Sequence, residues 1–573
     1  MQKNLWLILY MILILSTSLF SWGPRSHVQV AEIAGMLLTD DALPTSAAFY
    51  VAYQDEIISG SVFADWAYQN FWTSNSLSDH AHEMAFGDTY YDYVTSTFDL
   101  SDPSNHPEFA FCLGVLSHIY ADRIFYGDNG EYGLGLAGTD NDGVGMGDLE
   151  TNLDRIVGHD YTAPDFDWYW PTGTIIEVYD IYGDDVSSAG LWAGIEALEI
   201  LYDARTSIDS FAYLNAVDAI PWTNDNYGNY YPGGLMNAGA LSAVKMRNAW
   251  AKAINNWQIL QQTQTGCGYM DNTDAHLLPF APRTNTGGEN RYIATWDSEY
   301  ENGATVIKFD MSDIDTSGYF LESAEFYLYY KRPHTSVPSG DKRLALYKLN
   351  RLWNEGDKED GEYNEYLGEP LLDGENYVCY DEARYGISEW TVPGADGVPT
   401  DREEFHLDYQ DFGPATSYPF WYHWTITNAA RSWIRNPAHN YGMVLKEEDN
   451  TYDGMVEFIA SESQLVNYHP LVVVTLTSTS TDIDETHEIP EGLSIKAYPN
   501  PFNSAITISG KGITHIEIYD IEGKLIDKFG KCDIANKHDI TNQKWIPGES
   551  VISGVYFIKT GNNEELHRVV YIK

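Results

Sequence analysis

Between residues 26 and about 263, apolar positions recur every three or four residues, the period of helices that bury one face. Ser26 to Gln29 has the form S-x-x-Q of a capping box and opens an apolar-periodic stretch through Leu38. Residues 107–125 carry Phe109, Cys112, Leu113, Leu116 and Ile119 at helical spacing; 187–202 and 238–260 are Ala- and Leu-rich stretches of the same kind. Residues 126–147, rich in Gly and Asp, read as a long loop. At 264–290 the chain turns polar and irregular, with Pro279, Pro282 and two adjacent glycines, and reads as a linker. Beyond it the period falls to two. Residues 305–310, 324–330, 344–349, 442–446 and 470–475 are short strand-like runs. A second linker, 479–492, is rich in Ser, Thr and Asp, and alternation resumes in 493–573, as in Ile516-Glu517-Ile518-Tyr519 and Val555-Tyr556-Phe557-Ile558. The expected fold is multidomain: an all-α domain over 22–263, a β-sandwich over 291–478 and a small C-terminal β-sandwich. No internal repeat stands out.

The first residues change the picture of where this chain works. Lys3 gives a short basic start, 5–20 is almost wholly apolar, and Ser18 and Ser21 are small residues near a cleavage point. Residues 1–21 are therefore expected to be a signal peptide, being short for a membrane span of roughly 20 residues. No later segment is apolar enough to cross a bilayer.

At 573 residues the chain exceeds what one hydrophobic core supports, and 42 Tyr with 17 Trp favour β-rich modules. The net charge of −51, from 33 basic and 84 acidic residues, leaves no basic footprint for duplex nucleic acid and attracts divalent cations. Cysteines fall at 112, 267, 379 and 532, far apart and without a C-x-x-C pair. No disulfide framework follows, and a metal site would have to use His and carboxylates.

His118 and Asp122 are such a pair, i and i+4 on an apolar helix and so on one face. A carboxylate there is costly to bury unless it is paired or metal-bound. Alone, the pair reads equally as a core hydrogen bond. The surroundings add ligands. Cleavage after Ser21 would leave Trp22 as the N-terminus, five residues before His27, and a neutral α-amine can bind metal. Asp65 lies in Gly60-Ser61-Val62-Phe63-Ala64-Asp65, and His82 in Asp79-His80-Ala81-His82-Glu83. Six nitrogen or oxygen ligands from four segments suit zinc, which takes both donor types.

The order Trp, x4, His, then Asp, then His, then His-x-x-x-Asp resembles the zinc-dependent phospholipases C and the single-strand-specific fungal nucleases. The strings GSVFAD at 60–65 and FCLGVLSHIYAD at 111–122 are similar to glycosylphosphatidylinositol-specific phospholipase D. The resemblance covers roughly residues 22–260. It implies two zinc ions sharing Asp122, one held with Asp65, His82 and His118, the other with the Trp22 amine and carbonyl and His27, Asp65 being near enough to bridge. His80 competes with His82, which the spacing to Phe86 favours. The implied chemistry is phosphodiester hydrolysis by a two-zinc-activated hydroxide, with Asp65 orienting the hydroxide or acting as base. Its substrates would be phospholipid or a phosphorylated headgroup. A nuclease or nucleotidase with the same metals, and a degenerate surface-binding protein without turnover, are the rival readings.

The pattern departs from that family after Asp122. Tyr126 and Asp128 stand where a histidine is expected, and no histidine lies near Met146. What remains is Asp140, Asp142, Asp148, Glu150 and Asp154, with His159 beyond. A third metal position is then either lost or rebuilt from oxygen ligands such as Asp128, Asp148 and Glu150, which suit Ca²⁺ or Mg²⁺; a plain acidic loop fits as well.

Two further resemblances organise the rest. TVIKFDMSDI at 305–314, LESAEFYLYY at 321–330, Trp353-Asn354-Glu355, WTITNAARSW at 424–433 and HPLVVVTL at 469–476 are similar to the DNRLRE-type β-sandwich of bacterial surface proteins. That implies a jelly-roll-like module for a carbohydrate or cell-surface ligand. YPNPFN at 498–503, IYDIEGK at 518–524 and SGVYFIK at 553–559 resemble the C-terminal sorting domain of type IX secretion cargo. That implies the type IX machinery as partner and a secreted or cell-surface location in a Gram-negative bacterium.

Overall fold

A buried carboxylate, rather than the Ser26 capping box, starts the first helix in the computed structural model. Helix α1 (Pro24–Leu38) begins at Pro24, whose missing N–H costs nothing in a first turn. Ser26 lies inside it, and its N–H and Oγ donate to Asp154 Oδ1 at 2.8 and 3.1 Å. The capping group thus comes from 128 residues away.

The structure describes residues 22–69, 74–127, 133–206, 210–261, 272–277, 292–295, 303–312, 314–333, 342–355, 378–448, 456–461 and 463–478. In the tail it describes 496–498, 505–511, 516–520, 524–529, 540–548, 551, 554–560, 563–571 and 573. The chain divides into two compact units, residues up to 479 and 480–573.

The first unit is helical from 24 to 255 and antiparallel-sheet-rich thereafter. The helices that matter for the site are α2 (Gln54–Ser61), α3 (Ser76–Ala81), α4 (His106–Tyr126), α5 (Met146–Asp160) and α6 (Leu235–Asn255). Helix α4 is the central rod: every residue from Phe109 to Asp122 is buried. The stretch 126–147, expected as one long loop, holds a helix at Leu134–Asp142. Its acidic end is structural, since Asp142 accepts from the N–H groups of Trp222 and Thr223 at 2.7 and 3.0 Å and so caps another helix.

Two sheets follow. One runs β1-β11-β5-β10-β3, with β8 also on β5; it is built from β1 (Trp257–Gln261), β3 (Tyr292–Thr295), β5 (Tyr319–Pro333), β8 (Phe420–Thr425), β10 (Val456–Ile459) and β11 (Leu471–Ser478). The other runs β2-β4-β9-β6-β7, from β2 (Asn272–Leu277), β4 (Ala304–Phe309), β6 (Lys342–Lys348), β7 (Asp408–Phe412) and β9 (Met443–Glu447). Phe326, Leu328, Trp424 and Val472 of the first sheet and Ile307, Leu344 and Leu445 of the second belong to one buried cluster.

Two expected boundaries move. The helix read to residue 260 stops at Asn255 because Asn256 turns left-handed (φ 53°), and Trp257–Gln261 leaves as a strand paired with β11. Strand β2 lies inside the stretch read as a linker. The helical and sheet regions consequently share a core. Arg247 of α6, fully buried, pairs with Asp41 at 3.0 Å and donates to Gln261, whose side-chain amide reaches the His469 carbonyl at 3.0 Å. Trp421 Nε1 donates to the Asp40 carbonyl at 2.8 Å, and Tyr329 stacks on Tyr468.

The second unit has two small antiparallel sheets. Lys496–Tyr498, Ile506–Lys511 and Ile540–Trp545 form one; Leu525–Phe529, Ile516–Asp520, Gly554–Thr560 and Asn563–Tyr571 form the other. Ile508, Ile518, Ile558 and Trp545 fill their core. Among the described residues no helix is long and apolar enough to cross a membrane.

Candidate metal centre

The site begins where α2 and α4 touch without side chains between them. A Cβ on Gly114 would lie 2.1 Å from the Ile57 carbonyl oxygen, and one on Gly60 2.1 Å from that of Phe111. Two glycines therefore let the backbones meet. That approach brings the Ser61 carbonyl to His118, whose Nδ1–H donates to it at 2.7 Å. His82, just beyond α3, has the same arrangement, its Nδ1–H donating to the Ser78 carbonyl at 2.6 Å. A carbonyl partner on Nδ1 fixes the tautomer and leaves Nε2 as a lone pair.

Those two lone pairs face each other. His82 Nε2 is 3.0 Å from His118 Nε2, 3.2 Å from Asp122 Oδ2 and 3.5 Å from Asp65 Oδ1. Two acceptors at that distance need a proton or a cation between them. In the metal-free protein a proton serves. Burial opposes it most strongly, but the Asp65 hydrogen bond and the Asp122 and Asp65 charges outweigh burial and push His82 up to about 9. His118 goes the other way, lowered by burial and by its neighbour His27. Burial also works against the Asp122 carboxylate, yet His27 and His118 hold it well below the usual carboxylate range.

His27 completes the group. Its ring stacks on His118 at 3.6 Å, and Nε2 is 3.2 Å from Asp122 Oδ1. Both ring nitrogens of His27 and both oxygens of Asp122 are buried without a well-aligned hydrogen bond. Four such atoms in one place fit ligands for a cation, because buried polar groups otherwise find partners. His27, Asp65 and His118 offer donor atoms within 4.8 Å of one another, as do His82, His118 and Asp122. The donors are imidazole and carboxylate, which suit zinc. Trp22 is buried, its ring centroid 6.0 Å from that of His27.

The structure separates the remaining candidates. His80 turns away to pair with Asp184 at 2.7 Å, so His82 is the ring that enters the cluster. Glu150 is buried and accepts from the Tyr126 hydroxyl at 2.5 Å, while Asp148 is exposed. Among the described residues neither joins the two donor groups, and Asp128 lies outside the described residues.

A cleft of about 720 Å³ opens onto His82 and Asp122. Tyr68, Asp79 and Glu83 line one part, and Arg123 and Tyr126 lie on the same helical turn as Asp122. Sequence reading missed Arg123 as a wall residue, although it adjoins Asp122. Tyr126, noted only as a missing histidine, sits at i+4 from Asp122, a spacing that signals a shared face.

Residues 26–194 match the zinc dependent phospholipase C family, and residues 496–573 match the secretion system C-terminal sorting domain. Comparison with curated proteins gave no match. The chain thus joins a domain of the zinc-dependent phospholipase C type to a type IX sorting tail, and that tail implies secretion or display at the cell surface.

Proposed function

We propose that this secreted phospholipase-like protein is a zinc-dependent phosphodiesterase acting on phospholipid or its phosphorylated headgroup. The reading rests on one observation above all: five imidazole and carboxylate side chains, four of them buried, bring ligand-type atoms together beside an open cleft, within the stretch that matches the family. Asp65, His82, His118 and Asp122 would hold one zinc; His27, Asp122 and the amine of a chain starting at Trp22 would hold the second. Bound there, zinc supplies Lewis acidity toward phosphoryl oxygens and a source of hydroxide near neutral pH.

The chain's own groups prepare the rest. The Ser61 and Ser78 carbonyls hold His118 and His82 in the tautomer that presents Nε2. The buried helices α2 and α4 keep bulk water from the far side of the cluster, so its charges act in a low dielectric. Asp65, buried and beside His82, would orient the nucleophile or take its proton.

The test is Asp122→Asn in exported full-length protein, assayed for metal content and for hydrolysis of phosphatidylcholine, phosphatidylinositol and single-stranded DNA. Wild type should carry near two zinc ions and cleave a phospholipid; the variant should lose both activities of the site, metal and turnover. Cleavage of DNA alone would make the protein a nuclease. Metal without any turnover would make it a binding protein.

A further inference from the structure

We propose that Arg123 is the residue that anchors the anionic phosphodiester group of the substrate; this rests on the phosphodiesterase reading above. The argument starts from charge. The chain carries −51, and besides the proposed ligand Asp122 the cleft wall holds the carboxylates of Asp79 and Glu83. Away from the metals, a diester monoanion crossing that acidic surround is repelled, and a fixed cation in the wall offsets the repulsion. Among the described lining residues Arg123 carries the one permanent positive charge.

Its position on α4 is equally specific. Asp122, Arg123 and Tyr126 fall within one turn, and all three line the cleft. Tyr126 is held by its hydrogen bond to the buried Glu150, so this wall is braced from behind. Arg123 thus lines the same cleft as Asp122, one residue along the helix. A phosphodiester has two non-bridging oxygens sharing one charge, and the planar fork of arginine matches that pair in a way a lysine ammonium does not.

The ordinary alternative is that a cation in the last turn of a helix simply offsets the helix dipole. The two roles respond differently to substitution. Lysine preserves the end-of-helix charge but not the fork; glutamine removes both.

The experiment uses the full exported chain with its metals and compares wild type, Arg123→Gln and Arg123→Lys on bis(p-nitrophenyl) phosphate. Inorganic phosphate serves as a competing anion, and zinc content and melting temperature are measured alongside. Arg123→Gln should lower kcat/KM about ten- to hundredfold, the size of a lost charge-assisted contact, mainly through KM. Its inhibition constant for phosphate should rise in parallel, and the salt dependence of KM should flatten, with zinc content unchanged. Arg123→Lys should melt like wild type and recover only part of KM. Unchanged KM and phosphate inhibition in Arg123→Gln would overturn the proposal. So would a defect that tracks melting temperature or zinc loss and that lysine restores in full. If wild type cleaves no diester, the functional reading fails and thermal shift by phosphate decides the anchor. A shift in wild type that is absent in Arg123→Gln supports it; equal shifts, or none in wild type, overturn it.

Discussion

Removing zinc should make this protein take up a proton, and the amount follows from the geometry of two imidazoles. With Nδ1 of His82 and His118 both committed to carbonyls, their Nε2 atoms cannot stay bare at 3.0 Å. The metal-free cluster holds a proton on His82 up to about pH 9, against an ordinary histidine value near ~6.5. Zinc must displace that proton. Below pH 9 the apparent affinity should therefore fall about tenfold per pH unit, or roughly hundredfold between pH 9 and pH 7. The same linkage sets the stability of the metal-free fold. A raised folded-state value means the proton stabilises, fully below about pH 6.5, and that contribution is lost as pH rises through about 9. It amounts to roughly 3 kcal/mol. The assay is calorimetric zinc titration at buffered free metal, in two buffers of different ionisation enthalpy, at pH 7 and pH 9.5. At pH 7 His82 should release about one proton and the Trp22 amine most of another, against roughly a quarter of a proton in all at pH 9.5, while the melting temperature of metal-free protein declines across that interval. Zinc binding without proton release at pH 7, or metal-free protein that grows more stable toward pH 9, would refute the reasoning.

Three other perturbations reach different parts of the structure. Gly114→Ala would push α4 off α2 and pull His118 from the Ser61 carbonyl; we expect a loss of about 1–3 kcal/mol from overpacking and at least a tenfold weaker hold on zinc, read by chemical denaturation and metal competition. Arg247→Ala leaves Asp41 as a buried, unpaired carboxylate between the helical and sheet regions, which should cost about 3–5 kcal/mol in a denaturant melt and lower activity through stability alone. A chain ending at residue 480 removes the second unit; it should keep the melting temperature and hydrolysis of the first but fail to be exported, as fractionation of culture medium and periplasm would show.

The helix–strand division and the candidate donor residues were legible because both are local. His118 and Asp122 share a face by the helical period alone, and the order of His27, Asp65 and His82 around them carries the family resemblance. The end of the last site helix was not legible. Its apolar period continues through Trp257 and Ile259, which serve equally in a strand once β11 lies alongside. Nor was the union of helical and sheet regions, since Arg247, Gln261 and the His469 carbonyl meet across more than 200 residues. The view of the sandwich as a detachable module has to accommodate that buried chain of contacts.

The acidic segment after Asp122 shows most clearly what composition leaves open. Asp142, Glu150 and Asp154 all looked alike as oxygen donors. In the fold Asp142 caps a helix, Glu150 accepts from Tyr126, and Asp154 caps α1. Likewise His80 and His82 differ by two positions, yet one finds Asp184 and the other the cluster. Sequence by itself determined which side chains could bind metal, because donor chemistry and helical spacing are properties of the residues. Only tertiary structure decided which of them do meet, because a buried donor goes to whichever partner the packing of distant helices brings within hydrogen-bond reach.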